Sequence, residues 1–451
     1  MHAIFEAVDA YKKKILDAEE YIWKNPETGY REVKTSAYMA KAFEYLGYTL
    51  TMAGDIPGFY TVIDTGRAGP TVLILAELDS LICAEHPDCN PETYAVHACG
   101  HHAQCAAMLG IAAGLKAPGA LDTLSGKIKL CLVPAEEMIE LEYRRDLIKK
   151  GIIHYLGGKT EFMSRGYFDD ADVAFMVHTD KGNGTYANGG SVGCVAKNIT
   201  YKGVAAHAGG APWDGVNALY AATQGLNAIN SIRETFKDTD IIRVHPIMTA
   251  GGSVVNAIPE RAQLESYVRG ENFEGMHSAN TKVNRALCGA ALSLGAQVEI
   301  NDKYGYGPLR NCPDMVNVFE QASEICGLPF NSEMNRIASG STDMGDISCV
   351  MPVVHGEIGG AKGTPHGKDY YIENAEMACV NSAKVQIATL YLLLKDGGAK
   401  ATEIAKNFKP RFESKQAYFD YIRVFNHEGD CIEYNEKSAT ISWGIRYFSI
   451  P

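Results

Sequence analysis

The stretch HACGHHAQCAAMLG, residues 97–110, places three histidines and two cysteines within nine positions, ahead of an alanine-rich apolar pattern that reads as a packed helix. Thiolate and imidazole are both good ligands for zinc and related divalent ions. Cys99 and His101 stand either side of Gly100, whose freedom lets the backbone turn tightly enough to aim both at one ion. Three apolar runs elsewhere also finish in ionisable residues. TVLILAELD delivers Glu77 and Asp79, KIKLCLVPAEE delivers Glu136 and Glu137, and DVAFMVHTD delivers His178 and Asp180.

Taken singly, each of these has a bland account: Asp79 as a helix cap, Glu136–Glu137 as a solvated helix start, His178 as a satisfied half-buried imidazole. Their recurrence at equivalent topological positions favours a common site, because ligands of open α/β sheets gather at the carboxyl ends of strands. A nucleophilic Cys99–His pair is the alternative chemistry. Against it, neighbouring carboxylates hold a thiol protonated, whereas a divalent ion is stabilised by the same carboxylates and deprotonates the thiol outright.

The elements that position these residues follow from the hydrophobic pattern. From about residue 70, apolar strand-like runs alternate with helical spacing, which predicts an α/β fold whose catalytic domain is built on a mostly parallel sheet. Residues 192–301 read as strand, helix, strand, strand, helix, strand, the order of a ferredoxin-like domain inserted in the larger one. The expected division is 1–191 with 302–400 for the catalytic domain, 192–301 for the insert, and 401–451 as a C-terminal extension to which no role is assigned.

Composition narrows the function classes. The 451 residues carry a net charge of −12 with no polybasic tract, which leaves nucleic acid without an electrostatic footprint. No run approaches the ~18 apolar residues of a membrane span, and the N-terminal stretch lacks an apolar signal segment. A cytoplasmic protein is expected. The twelve cysteines are scattered and include no CxxC pair, the usage of reduced thiols.

Six motifs in register, HACGH, PAEE, AFMVHTD, GVAAHAGGAPWDGVNAL, VNAIP and ASGSTDMGDIS, resemble the dinuclear metallopeptidase family of aminoacylase and carboxypeptidase G. Within that family the chain is most similar to the aminobenzoyl-glutamate hydrolase and dipeptidase branch of the amidohydrolases, from about residue 15 to 395. The resemblance implies two divalent metal ions per subunit, zinc or manganese, held by Cys99, His101, Glu137, His178 and a late histidine taken to be His366, with His355 as the fallback. It further implies that Glu136 is the general base that activates a metal-bound water, with Asp79 orienting a ligand.

The inserted domain would then serve as a lid and homodimerisation surface. From it His207 would reach the partner subunit's site to stabilise the oxyanion, while Arg269 would grip a substrate carboxylate and Asn256 and the Gly340–Ser341 loop would contact the substrate. Simpler roles stand beside these: a turn cap for Asn256, a surface ion pair for Arg269, and a helix cap for Ser341 or Asp343. The implied reaction is hydrolysis of the amide bond of a small N-acyl amino acid or dipeptide. A homologue that binds metal without catalysis remains the other class.

The sequence also departs from the family pattern. His102 and Gln104 occupy positions where much of the subfamily has aspartate and histidine. Relatives run from PAEE into glycines, whereas here residues 138–163 intervene, with charges at a spacing that predicts an exposed helix bearing a solvated His154.

Overall fold

The computed structural model of the chain describes residues 1–434 and 439–441; the remainder of the predicted extension lies outside the described residues. The chain divides into two compact units. One comprises Met1–Gly190, Leu309–Ala338 and Thr342–Arg411, and the other Ser191–Pro308, Ser339–Ser341 and the chain from Phe412.

The first unit is organised by a ten-stranded sheet. At its centre the strands Lys127–Val133, Thr71–Glu77, Val173–Lys181 and Val353–Lys362 lie side by side and parallel, with Leu75 opposite Cys131 and His355 opposite Met176. All seven residues of Thr71–Glu77 are buried, which is why this strand reads as an unbroken apolar run instead of an alternating one. Antiparallel strands flank this centre: Phe59–Asp64 on one side and Thr185–Ser191 on the other.

The helix His101–Gly114 is buried along its whole length, packed by the helices His2–Trp23 and Ser382–Leu394. Its small residues make that approach possible: a Cβ on Gly110 would meet Ala383 and Ile15 at 2.7 and 3.0 Å. The segment Glu376–Leu394 corrects the expectation about membrane length. It has the span and hydropathy of a membrane helix, but 83% of it is buried in the core, which accounts for its apolar character.

In the second unit Gly193–Lys202 pairs antiparallel with Arg261–Gly270 on one side and Gln297–Tyr306 on the other. The short strands Arg243–Val244 and Ile247–Ala250 add to the outer side of Arg261–Gly270. Burial alternates along Arg261–Gly270, with the helices Ala218–Ser231 and Phe273–Ser293 packed on the sheet. Lys197, fully buried, donates to Asp302, Asn284 and, at 2.8 Å, Asn280; both amides donate in turn to the other Asp302 oxygen at 2.7–2.8 Å. The C-terminal chain continues this unit. His427–Asp430 pairs along Gln297–Tyr306, and Tyr418 and Phe425 pack against Tyr304.

Candidate metal centre

The parallel strands bring the strand-end residues of the first unit together. Gly100, in the left-handed region at φ 91°, turns the chain from Cys99 into the helix that starts at His101. His178 sits late in Val173–Lys181. Glu136 and Glu137 follow Lys127–Val133 through a turn in which Ala135 is left-handed at φ 59°. His366, itself left-handed at φ 62°, is tied to the first loop by its amide, which donates to the Ala98 carbonyl at 2.9 Å.

Four groups of potential ligand atoms result, each with all members within 4.8 Å of one another; His101, Glu136 and Glu137 form one and Glu77, Glu136 and Asp343 another, and the remaining two are Cys99, His101 and His178, and Cys99, Glu137 and His366. Cys99 belongs to both of these last two. His355 belongs to none of the four; it is half-buried beside His178 at 5.9 Å between rings, and desolvation, with the His178 charge, depresses its pKa to about 3.

The local contacts orient these side chains. The Nδ1 of His178 lies 2.9 Å from its neighbour's carbonyl at Thr179, which leaves Nε2 facing the Cys99 sulfur at 3.4 Å. The Nδ1 of His101 lies 2.9 Å from the Asp79 carbonyl and 3.3 Å from its carboxylate, whose other oxygen accepts from the Glu137 amide at 2.8 Å. Asp79 thus links His101 to Glu137.

Charge is concentrated here. Burial and Glu137 push the Cys99 thiol up, but His101 and His178 bring it down to about 6. Burial opposes the charged form of His178, yet Cys99 raises it to about 9. Hydrogen bonds to Cys99 and Glu137 lift His366 to about 11; Glu137, against its burial, is held at about 2 by His366. One thiolate, three imidazoles and a carboxylate form a donor set suited to borderline divalent ions. Buried Glu137 Oε1, Asp79 Oδ1 and His101 Nε2 have no well-aligned hydrogen bond, so the residues fit a pair of such ions.

Glu136 adjoins this centre, and burial together with Glu77 and Glu137 raises its pKa well above the carboxylate range. Behind it lies an ion network to which the sequence reading gave no role. The fully buried Lys159 ammonium pairs with Glu77 and, at 2.5 Å, with Asp343, whose second oxygen accepts from the Lys159 amide at 2.8 Å. Asp343 makes no side-chain cap to its helix, which corrects that part of the expectation. A glutamate ending an otherwise apolar strand, and a lysine straight after a glycine pair, were the available signals.

The two departures also find places. Gln104 donates to Glu77 at 2.8 Å, and His102 turns toward Glu19 at 3.2 Å and the Trp23 ring at 4.9 Å. His154 is exposed as expected, whereas the helix Leu141–Lys149 is not wholly so, since it buries Leu141, Arg144 and Leu147.

The remaining candidate residues belong to the second unit. His207 is exposed on a loop bridged to the Ala257 segment, and its Nδ1 accepts from the Gly209 and Gly210 amides at 3.2 and 2.9 Å. That leaves Nε2 to carry the proton as a donor. The Asn256 side chain is exposed while its carbonyl accepts from the Ala208 amide at 3.0 Å. Arg269 is half-buried and, among the described residues, has no carboxylate partner that would make it a surface ion pair; it donates to the Ser341 hydroxyl at 3.0 Å, beside Gly340.

Residues 74–393 match the model of peptidase family M20/M25/M40. The chain belongs to this family. Among the M20 relatives, the mouse (Mus musculus) Xaa-Arg dipeptidase is 27% identical over 426 residues, covering 90% of this chain and 88% of that protein. One of the p-aminobenzoyl-glutamate hydrolase polypeptides of Escherichia coli is 27% identical over 343 residues, 73% of this chain and 66% of the relative. A dinuclear metal-binding M20 peptidase from Bacillus subtilis shares the fold at TM-score 0.62 and 18% identity, covering 85% of this chain and 99% of that one. As an M20 member with hydrolase relatives the chain is a metal-dependent amidohydrolase.

Proposed function

We propose that the protein hydrolyses the amide bond of a dipeptide or N-acyl amino acid bearing a free carboxylate, and that it does so in the cytoplasm as a homodimer. The observation that carries this reading is the sharing of Cys99 between two ligand groups directly beside Glu136. In this reading Cys99, His101 and His178 hold one divalent ion, and Cys99, Glu137 and His366 hold the second, with zinc or manganese as the ions. Bound there, the pair polarises the scissile carbonyl and makes the attacking water more acidic.

The chain's own residues do the rest. Glu136 takes a proton from the attacking water and passes it to the departing amine nitrogen; a raised pKa suits a carboxylate that must hold a proton between these two steps. Asp79 keeps His101 and Glu137 in register. Arg269, with Ser341, Gly340 and Asn256, receives the substrate carboxylate, for which a guanidinium fork is the matching donor.

The second unit acts as a ferredoxin-like lid, and His207 of the partner subunit donates from Nε2 to the developing oxyanion. Support for a partner comes from the loops around His207, where Trp213 and Val255 are 78% and 96% exposed and the edge strand Ile247–Ala250 is uncovered.

A metal assay combined with a screen of dipeptides and N-acyl amino acids tests the substrate class. Chelation is expected to abolish turnover. Glu136→Gln is expected to lower kcat by about 10²–10⁴-fold with metal content unchanged; a variant retaining both metal and full turnover would remove Glu136 as the base. Mixing Glu136→Gln with His207→Ala subunits is expected to restore part of the activity through hybrid dimers, and the absence of any recovery would mean that each subunit is self-contained.

A further inference from the structure

Between PAEE and the glycine pair Gly157–Gly158 this chain places residues 138–156. The excursion begins and ends at one turn. It leaves from Glu137 and returns where the Gly158 amide donates to the Ala135 carbonyl at 3.2 Å, and a Cβ at Gly158 would run into the Pro134 carbonyl. Within it the helix Leu141–Lys149 turns Arg144 inward to full burial.

The Arg144 guanidinium is spent on backbone. One nitrogen donates to the Leu156 carbonyl at 2.8 Å and lies 3.5 Å from that of Ala135, and the other donates to the Glu137 carbonyl. On the opposite side Glu32 accepts from the Ala135 amide at 2.7 Å. The turn so gripped carries Ala135 in the left-handed region, a conformation that a residue with a Cβ keeps only when its surroundings impose it.

The N-terminal segment closes around the same group. Gly29 has no room for a Cβ because the guanidinium occupies it, the Tyr30 ring lies 5.5 Å from the guanidinium carbon, and Thr28 donates at 2.5 Å to Glu140 at the start of the inserted helix.

We propose that Arg144 is a positioning residue for the hydrolysis: delivered by the inserted segment, it fixes the turn that aims the Glu136 and Glu137 side chains. The inference rests on the roles given to those glutamates above. A planar fork with several fixed donors can bind the carbonyls on both sides of the turn at once, which a single ammonium cannot. Because the hydrogen bonds of the guanidinium go to backbone carbonyls, its removal changes the direction of the two carboxylates and leaves the ligand set intact; displacement by about 1 Å can cost 10²-fold in rate.

The test uses Arg144→Ala and Arg144→Lys in the full chain, with three readouts: kcat and KM on the best dipeptide found, equilibrium affinity for manganese or zinc by competition with a chelator, and thermal unfolding. Arg144→Ala is expected to lower kcat by about 10²-fold with KM within a few-fold, and to weaken metal binding through Glu137. Arg144→Lys is expected to fall between it and the unmodified protein, and serves as the deciding variant if Arg144→Ala does not fold.

In the Glu136→Gln background assayed at saturating metal, where the effect through Glu137 is removed, deleting Arg144 is expected to add little further loss, since it and Glu136 act through one geometry. A folded Arg144 variant with unaltered kcat and metal affinity overturns the proposal, as does a full additional loss on top of Glu136→Gln. If Glu136→Gln itself keeps full activity, the base assignment falls, and metal affinity through Glu137 alone decides on Arg144.

Discussion

Lys159 and Lys197 are both fully buried and both bound to aspartate, yet they serve their units differently. Around Lys197 one carboxylate and two amides close a complete network. Burial lowers that lysine's pKa despite Asp302, as in a structural pair barely compensated for its lost hydration. Around Lys159 the carboxylates outnumber the cation. Against burial, Asp343, Glu77 and Glu136 together drive its pKa up, and Glu77 is simultaneously shared with His101 and Gln104. One ammonium joins a sheet to a helix. The other offsets the charge of an acidic cluster that includes Glu136.

The comparison can be broken in order of effect. Lys159→Met is expected to be the most damaging change, costing roughly 3–5 kcal/mol in denaturant unfolding because it strands buried carboxylates, and lowering kcat in whatever fraction folds. Retained kcat would mean that this network is structural like the other. Lys197→Met is expected to cost about 1.5–3 kcal/mol, the worth of hydrogen bonds to a charged group, with kcat per folded molecule unaffected. Asp302 keeps its two amide donors in that variant. Adding Asp302→Leu is expected to recover part of that stability, whereas no neutral partner substitution is expected to rescue turnover at Lys159.

The smallest effect concerns a carboxyl pair that has no lysine between its members. Burial and Asp180 raise the Glu357 pKa from 4.5 to about 7. The folded protein therefore keeps a proton that the unfolded chain releases near 4.5, so this stabilisation is complete below that pH and is lost as pH rises through 7. Glu357→Gln is expected to match the unmodified protein in Tm at acidic pH and exceed it at pH 8. Equal Tm values at pH 8 would show that folding does not raise the Glu357 pKa.

The sequence made the site legible wherever chemistry sat at the end of an apolar run. Glu137 and His178 could be read because buried parallel strands leave a plain apolar signature around them, and Cys99 because it stands beside His101 on the loop that opens an apolar helix. Lys159 could not be assigned a partner, because its carboxylates lie 82 and 184 residues away and no local pattern joins them. Arg144 misled for a different reason. Its neighbours Arg145 and Asp146 are charged at helical spacing, and period alone cannot single out the one cation that turns inward. The helix His101–Gly114 is buried on every side, so no polar face distinguished Gln104 from His102.

The C-terminal strand His427–Asp430 changes what the small sheet can join. Among the described residues, His427, Glu428 and Asp430 end that side of the sheet in charged and polar side chains, which discourage further pairing, while Ile247–Ala250 is exposed and largely apolar on the opposite side. A sheet with a single competent edge can add a second copy only once. Were the proposed homodimer to join through this sheet, a single open edge would close it as a two-fold pair and not extend it into a filament of copies.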